Sequence, residues 1–227
     1  MAVREYENEP IPGLPERLPS GERILWQGAP SWWGIAKRAL HIRAVAIYLA
    51  IIVVWGTTSV IANGQQVPTD IVIFALKLTA LSFTALAALA FYAHLVTRST
   101  LYTLTNRRIV LRFGVALPMT MNVPLKAIAS ADLKVYRDGT GDIPIAVVSE
   151  RRQSMVVLWP HVRPWRTSKP EPMLRCIRNA ADVAQLLISS LNAASTAPAE
   201  MRIRIPRSAI AKTKSKSVAS SDHTVAA

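Results

Sequence analysis

Two long apolar runs decide what this chain can fold into. From Ala44 to Thr69 there is no Asp, Glu, Lys or Arg, and Ala44–Ala62 alone is 19 residues of nearly unbroken apolar side chains. As a helix rising ~1.5 Å per residue, such a run crosses most of the ~30 Å hydrocarbon core of a bilayer. A polar break from Asn63 to Asp70 contains Asn63-Gly64 and Pro68 and reads as a turn. Ile71–Val96 is apolar again, interrupted by Lys77 and, near its far end, by His94. Lys77 lies close enough to the start of its run for the amine to reach back to the headgroups. Soluble core helices would keep a polar face, and neither run has one. A cleaved signal peptide could end at Val60-Ile61-Ala62, but 43 residues precede the apolar run, far more than a signal carries there. The sequence predicts a two-helix transmembrane hairpin over residues 44–97.

Positive charge orients that hairpin. Six Lys and Arg precede it, none lies in the connecting loop, and twenty follow it from residue 98 onward. The positive-inside rule then puts both termini in the cytoplasm and the short loop outside. The net charge of +13 favours anionic partners, among which lipid headgroups, nucleic acid and acidic protein faces all qualify. Cys176 is the only cysteine, so no intrachain disulfide can form, which fits a reducing compartment.

The flanks carry their own patterns. The N-terminal segment, 1–30, is rich in Pro and Glu over residues 1–22, which read as extended and mostly disordered or as a strap against a partner, with a short strand over Glu22–Gln27. In the next stretch, 31–43, helical spacing puts Trp32, Trp33, Ala36, Ala39 and Leu40 on one face and Lys37, Arg38 and His41 on the other. That is the pattern of an interfacial amphipathic helix with indoles at headgroup depth and cations toward membrane lipids. The tail, 195–227, is rich in Ala, Ser and Lys and reads as a disordered basic segment.

After Arg98 the period of the apolar pattern changes to two. Ile109, Leu111 and Phe113 alternate with Arg108, Val110 and Arg112; Leu117, Met119, Met121 and Val123 alternate with polar residues and prolines; Ala131, Leu133 and Val135 follow. These read as half-buried antiparallel strands, with one side wet. Ile143–Ser149 and Ser154–Trp159 read as two more, completing six. Leu174, Ile177, Ala181, Ala184, Ile188 and Leu191 then form an apolar helical stripe, with Pro172 at its start and Cys176 beside it. Several short strands and one amphipathic helix predict a small barrel capped by that helix over 98–194.

Tyr102-Thr103-Leu104-Thr105-Asn106-Arg107-Arg108, followed by Arg112 and Gly114, resembles the opening hairpin of bacterial pleckstrin-homology-like domains. Glu9-Pro10-Ile11-Pro12-Gly13-Leu14-Pro15-Glu16 and Gly21-Glu22-Arg23-Ile24-Leu25-Trp26-Gln27-Gly28 resemble the photosynthetic-complex assembly proteins of purple bacteria, encoded beside the reaction-centre H subunit. The resemblance covers roughly residues 9–192. It implies a membrane α+β protein, a two-helix transmembrane hairpin followed by a pleckstrin-homology-like small β-barrel capped by a C-terminal α-helix. The implied location is the bacterial inner (intracytoplasmic) membrane. The implied role is non-catalytic assembly of the reaction centre or the core light-harvesting complex, with their subunits and membrane lipids as partners and self-association open. Bacteriochlorophyll in transit is the one cofactor the resemblance brings into view, with His94 as its candidate magnesium ligand; the plain alternative is a wet interfacial histidine one turn from Arg98.

The remaining chemistry is sparse. His41, His94, His161 and His223 lie in four different contexts, and none has a metal-ligand spacing to another His or to Cys176. No Gly-rich phosphate loop or nucleophile elbow occurs, so no enzyme is expected. The basic residues are dispersed, without an aromatic-interleaved platform, which argues against nucleic acid. Arg108 and Arg112 share one strand face and are expected to meet an acidic partner or water, and Asn106 is read as a turn residue chosen for its backbone geometry. The rival reading is a general bacterial membrane protein with the same domain, serving envelope stress or transport.

Overall fold

The computed structural model describes residues 13–14, 16–62, 64, 68–148, 154–165, 169–194 and 201–204. They fall into two compact units: one is residues 32–98, and the other combines the segments on either side of it.

In the first unit, α1 (Trp32–Gly34) runs directly into a π-helical turn (Ile35–Ala39). His41 then adopts a left-handed φ of 53°, and α2 (Ile42–Ala62) begins. The helix expected over 31–43 is therefore shorter, and Ile42 and Arg43 open the first span. α3 (Pro68–Ser99) is 32 residues long. The most apolar stretch of each long helix is wholly unburied, which removes the soluble-core reading, because helices that are apolar all round and uncovered by protein require lipid. The protein is membrane-embedded. Hydroxyls inside α2 return to its own carbonyls, Thr57 to Val53 at 2.8 Å and Ser59 to Trp55 at 2.8 Å, so these two need no water.

The second unit holds two four-stranded sheets. One runs β1 (Ile24–Gly28), β2 (Leu101–Thr105), β3 (Arg108–Phe113), β4 (Met119–Pro124), antiparallel throughout. The other runs β7 (Met173–Ile177), β6 (Gly141–Val147), β5 (Ile128–Val135), β8 (Met201–Arg204). The short α4 (Met155–Leu158) precedes β7, and α5 (Ala180–Ala194) packs over β5 and β6. Tyr102, Leu104, Ile109, Leu111 and Phe113 from the first sheet meet Ala131, Leu133, Ile143, Ile145 and Leu174 from the second, and Val183, Ala184, Leu187 and Leu191 of α5 close this core.

β1 precedes the membrane pair and β2 follows it, yet the two are neighbours, with Gly28 opposite Tyr102 and Gln27 opposite Thr103. The membrane hairpin is thus an insertion within one sheet. Since a ladder cannot form across lipid, both flanks of the hairpin lie on the same side of the bilayer.

Four sequence expectations change. Residues 173–177 are a strand and not the start of the helix, and all five are buried, with Cys176 at a left-handed φ of 50°. The helix starts after Asn179, whose carbonyl accepts the amides of Asp182 and Val183, and Ala181 faces out while Ala180 and Val183 face in. Residues 155–158 are helical, not extended. Part of the tail forms β8, parallel to β5, with Met201 and Ile203 in register with core residues Ala131 and Leu133; the rest of the tail lies outside the described residues. Finally, the outer face of β2 and β3 is not wet, for Thr103, Val110 and Arg112 are buried, whereas Leu117 and Met119 on the next turn and strand are exposed. One cause is the N-terminal segment: Gly13 lies against Leu101, and residues 21–23 bond to the β2–β3 turn.

Candidate functional site

The residues that single out this sequence sit at the two ends of β2 and in its turn to β3, and they build two hydrogen-bonded clusters.

The first cluster surrounds Thr105-Asn106-Arg107-Arg108. Thr105 Oγ1 accepts the amides of Arg107 at 3.2 Å and Arg108 at 3.0 Å, which closes the two-residue turn, and donates to Glu22 Oε1 at 2.8 Å. Arg108 holds the same carboxylate with two nitrogens, at 2.8 and 3.1 Å, a bidentate charge-assisted contact. Asn106 is a second clamp: its Nδ2 donates to the carbonyl of Gly21, its Oδ1 accepts the amide of Arg23, both at 3.0 Å, and its own amide reaches the carbonyl of Arg23. Burial alone would push the Glu22 carboxyl up; hydrogen bonds from Arg108 and Thr105 and the charges of Arg108 and Arg107 reverse this and hold it below its ordinary value. The motif is therefore a socket for the chain's own N-terminal segment. Arg108 meets an acidic group of the same chain and not water, the favoured expectation for it, and Asn106 works through its side chain as well as its backbone.

The second cluster surrounds Tyr102, which is fully buried. Its hydroxyl lies 2.6 Å from His161 Nδ1 and accepts the amide of Arg175 at 3.3 Å, while His161 Nε2 lies 3.1 Å from Thr100 Oγ1. One assignment satisfies every group: the Arg175 amide donates to Tyr102, Tyr102 donates to Nδ1, and Nε2–H donates to Thr100. Burial, with the Arg175 guanidinium second, pushes His161 down to about 3, so the imidazole is neutral at physiological pH. Burial likewise raises the Tyr102 phenol, which stays protonated. Phe113 walls the imidazole, with ring centroids 5.5 Å apart. A further buried anchor is Asp142, which accepts the amide of Cys176 at 2.7 Å and the hydroxyl of Tyr136 at 2.5 Å. His161 gave no signal in the sequence beyond being one of four histidines, because its partners are 59 and 61 residues away.

Gly114 completes the motif for a backbone reason. Its φ is +118°, and a Cβ there would sit 2.1 Å from the carbonyl oxygen of Leu117.

The other predicted residues are in the membrane unit. Trp32 and Trp33 are exposed, Lys37 and Arg38 half-buried, and the Trp32 indole donates to the carbonyl of Ala90 in α3 at 3.1 Å. His94 is exposed on α3, four residues further on. Among the described residues no group of His, Cys, Asp and Glu is placed to hold a metal ion.

A curated relative, the uncharacterized 23.7 kDa protein in the puhA 5′ region of Rhodobacter capsulatus, is 37% identical over 202 residues, 87% of this chain and 92% of that protein. No solved structure matches the chain significantly. The bacterial PH domain family matches residues 35–191, which takes in both membrane helices, the signature hairpin, the buried histidine and most of α5. The β2–β3 turn, the buried cluster and the capping helix thus lie in a module whose family fits a non-enzymatic role, and this chain belongs to the bacterial PH-domain family.

Proposed function

We propose that this protein is a non-catalytic, membrane-anchored assembly factor for the photosynthetic reaction centre and its core light-harvesting complex. The observation that carries this reading is the 37% identity, over most of both chains, to a protein of the puhA 5′ region, because puhA encodes the reaction-centre H subunit. The inner membrane, with both termini and the β unit in the cytoplasm, is the setting that charge supports, with six Lys and Arg before the spans, none between and twenty after.

Two groups of residues would then act on nascent subunits. Ile51, Trp55, Leu76, Leu81 and Phe83 are 60–74% exposed on α2 and α3 and can pack against helices of reaction-centre or antenna polypeptides. The β unit would meet their cytoplasmic ends. Trp32, Trp33, Lys37 and Arg38 mark the cytoplasmic membrane surface in this account. With Trp32 bonded to Ala90, the stretch of α3 inside the hydrocarbon runs from Pro68 to Ala90, ~34 Å at the usual rise, and the remaining turns emerge. His94 then lies beyond the hydrocarbon boundary, which favours an interfacial histidine over a pigment ligand.

Deleting the gene tests the reading. Reaction-centre and core-antenna levels should fall, while the complexes that do form keep normal spectra. Replacing His94 by Ala should leave those levels near normal. A deletion strain that assembles both complexes at the normal rate and level would reject the assembly role in favour of a general envelope function.

A further inference from the structure

We propose that the β2–β3 turn is a docking site for an acidic, extended peptide segment, which residues 21–23 of this chain fill in cis and a partner polypeptide fills in their place. The proposal stands on the β unit alone and not on the assembly role.

The bound strap shows what the turn reads. The Glu22 side chain is only 2% exposed, and its carboxylate takes bonds from Thr105 Oγ1 and from two nitrogens of Arg108. Asn106 reads the main chain on both sides of that acid, the carbonyl of Gly21 before it and the amide and carbonyl of Arg23 after it. Gly21 has a φ of +78°, and a Cβ there would lie 3.3 Å from the Arg107 guanidinium, so the position before the acid calls for glycine. The side chain after the acid, Arg23, is exposed and unread by these contacts. The ligand selected is therefore a glycine, an acid and any third residue in extended chain. A lone anion, a phosphate group included, would meet Thr105 and Arg108 but leave all three Asn106 contacts unused, which sets a peptide above a headgroup.

The strap can leave without stranding a buried group. Thr105 Oγ1 has a second acceptor waiting, the Arg108 carbonyl at 3.0 Å. The Arg108 side chain is 31% exposed and can turn to water, and Glu22 regains its own hydration. Residues 21–23 bring no apolar side chain to the contact, and Glu16, Arg17, Pro19 and Ser20 before them are exposed. The adjoining end of β1 is irregular, for its register against β2 shifts between Ile24 and Trp26. Such a contact opens locally while the core stays closed. A tethered strap competes at an effective concentration of about a millimolar, so the exchange favours a partner held in the same membrane over one free in solution.

The full-length protein in neutral detergent tests this with a fluorescent peptide copying residues 19–24 and a control copy carrying Gln at the position of Glu22. Gly21→Val combined with Glu22→Ala removes both features that hold the strap. That variant should bind the acidic peptide about tenfold more tightly than the parent does, and about tenfold more tightly than it binds the control. Adding Arg108→Ala should erase the preference for the acid. Equal affinity for the two peptides, equal affinity of parent and variant, or a preference that survives Arg108→Ala would overturn the proposal. Displacement of the peptide by inorganic phosphate at lower concentration than by acetate would overturn it too, by showing a phosphate site. If the variant does not fold, the parent decides: excess acidic peptide should speed exchange of the Arg23 amide, which Asn106 protects, and the control should not. Equal exchange with both peptides would reject the docking site.

Discussion

Tyr102 and Thr105 are three residues apart on one strand and organise clusters of opposite character. At Thr105 the centre is a charge, the Glu22 carboxylate gripped by Arg108, with the arginine still reached by solvent. At Tyr102 the centre is a neutral imidazole sealed from water. The charged cluster fastens a distant segment, residues 21–23, which lies on the far side of the membrane insertion from the motif that holds it. The neutral one fastens the start of β2 to His161 and Arg175 within the β unit. A polar network at a wet edge can open and reclose locally, whereas one in the core must hold or the domain unfolds. The two should therefore fail at different pH values and on different scales.

The largest effect is expected from the wall of the buried cluster. Replacing Phe113 by Ala should cost about 3–5 kcal/mol in unfolding of the β unit, through lost burial and a cavity beside His161. A denaturation curve unchanged from the parent would remove Phe113 from the core. Next comes Tyr102→Phe, which keeps the ring but leaves His161 Nδ1 without its donor; about 1–3 kcal/mol is expected. A loss below half a kcal/mol, by the same measurement, would show that the hydroxyl is dispensable.

Acid should separate the clusters. His161 has a folded value near 3 against an ordinary 6.5, so its folded form binds fewer protons than its unfolded form between those limits. Stability should be full above pH ~6.5 and fall by about 1.4 kcal/mol for each unit below it, until pH ~3. Glu22 is also depressed, but from 4.5, so its contribution is intact above that value and is lost only as pH falls through its folded value. Unfolding measured from pH 7 to 5 should thus lose stability in the parent and much less in any folded His161 variant. Equal slopes would contradict the neutral buried imidazole.

The smallest effect is expected at the wet edge. Glu22→Gln should cost about 1–2 kcal/mol, because Arg108 can turn to water once its partner is uncharged. The change should be local. Amide exchange should rise in residues 21–28 and in the β2–β3 turn before it rises in β5 and β6. Uniform acceleration across the domain would mean that the two clusters are one cooperative unit.

The contrast also explains what was legible in advance. Local patterns were: the apolar runs, the period-two alternation of Ile109, Leu111 and Phe113, and the turn at Asn106. The motif marked the right residues, but their purpose depends on Gly21, Glu22 and Arg23, more than eighty positions earlier, and a pattern read within a window cannot show such pairings. His161 was hidden for the same reason. The C-terminal boundary is misread because Leu174 and Ile177 are three apart, a helical spacing that also occurs in a strand whose five residues are all buried. β8 was missed because Met201–Arg204 is four residues inside a stretch whose composition reads as disordered.

The most direct test of the assembly role is timed capture of the tagged full-length protein while cells begin to make their photosynthetic apparatus. Assembly predicts that newly made reaction-centre or core-antenna subunits are recovered with it early and are lost from it as the complexes mature. Stoichiometric recovery with the mature complex, or no recovery at any time, would contradict the account.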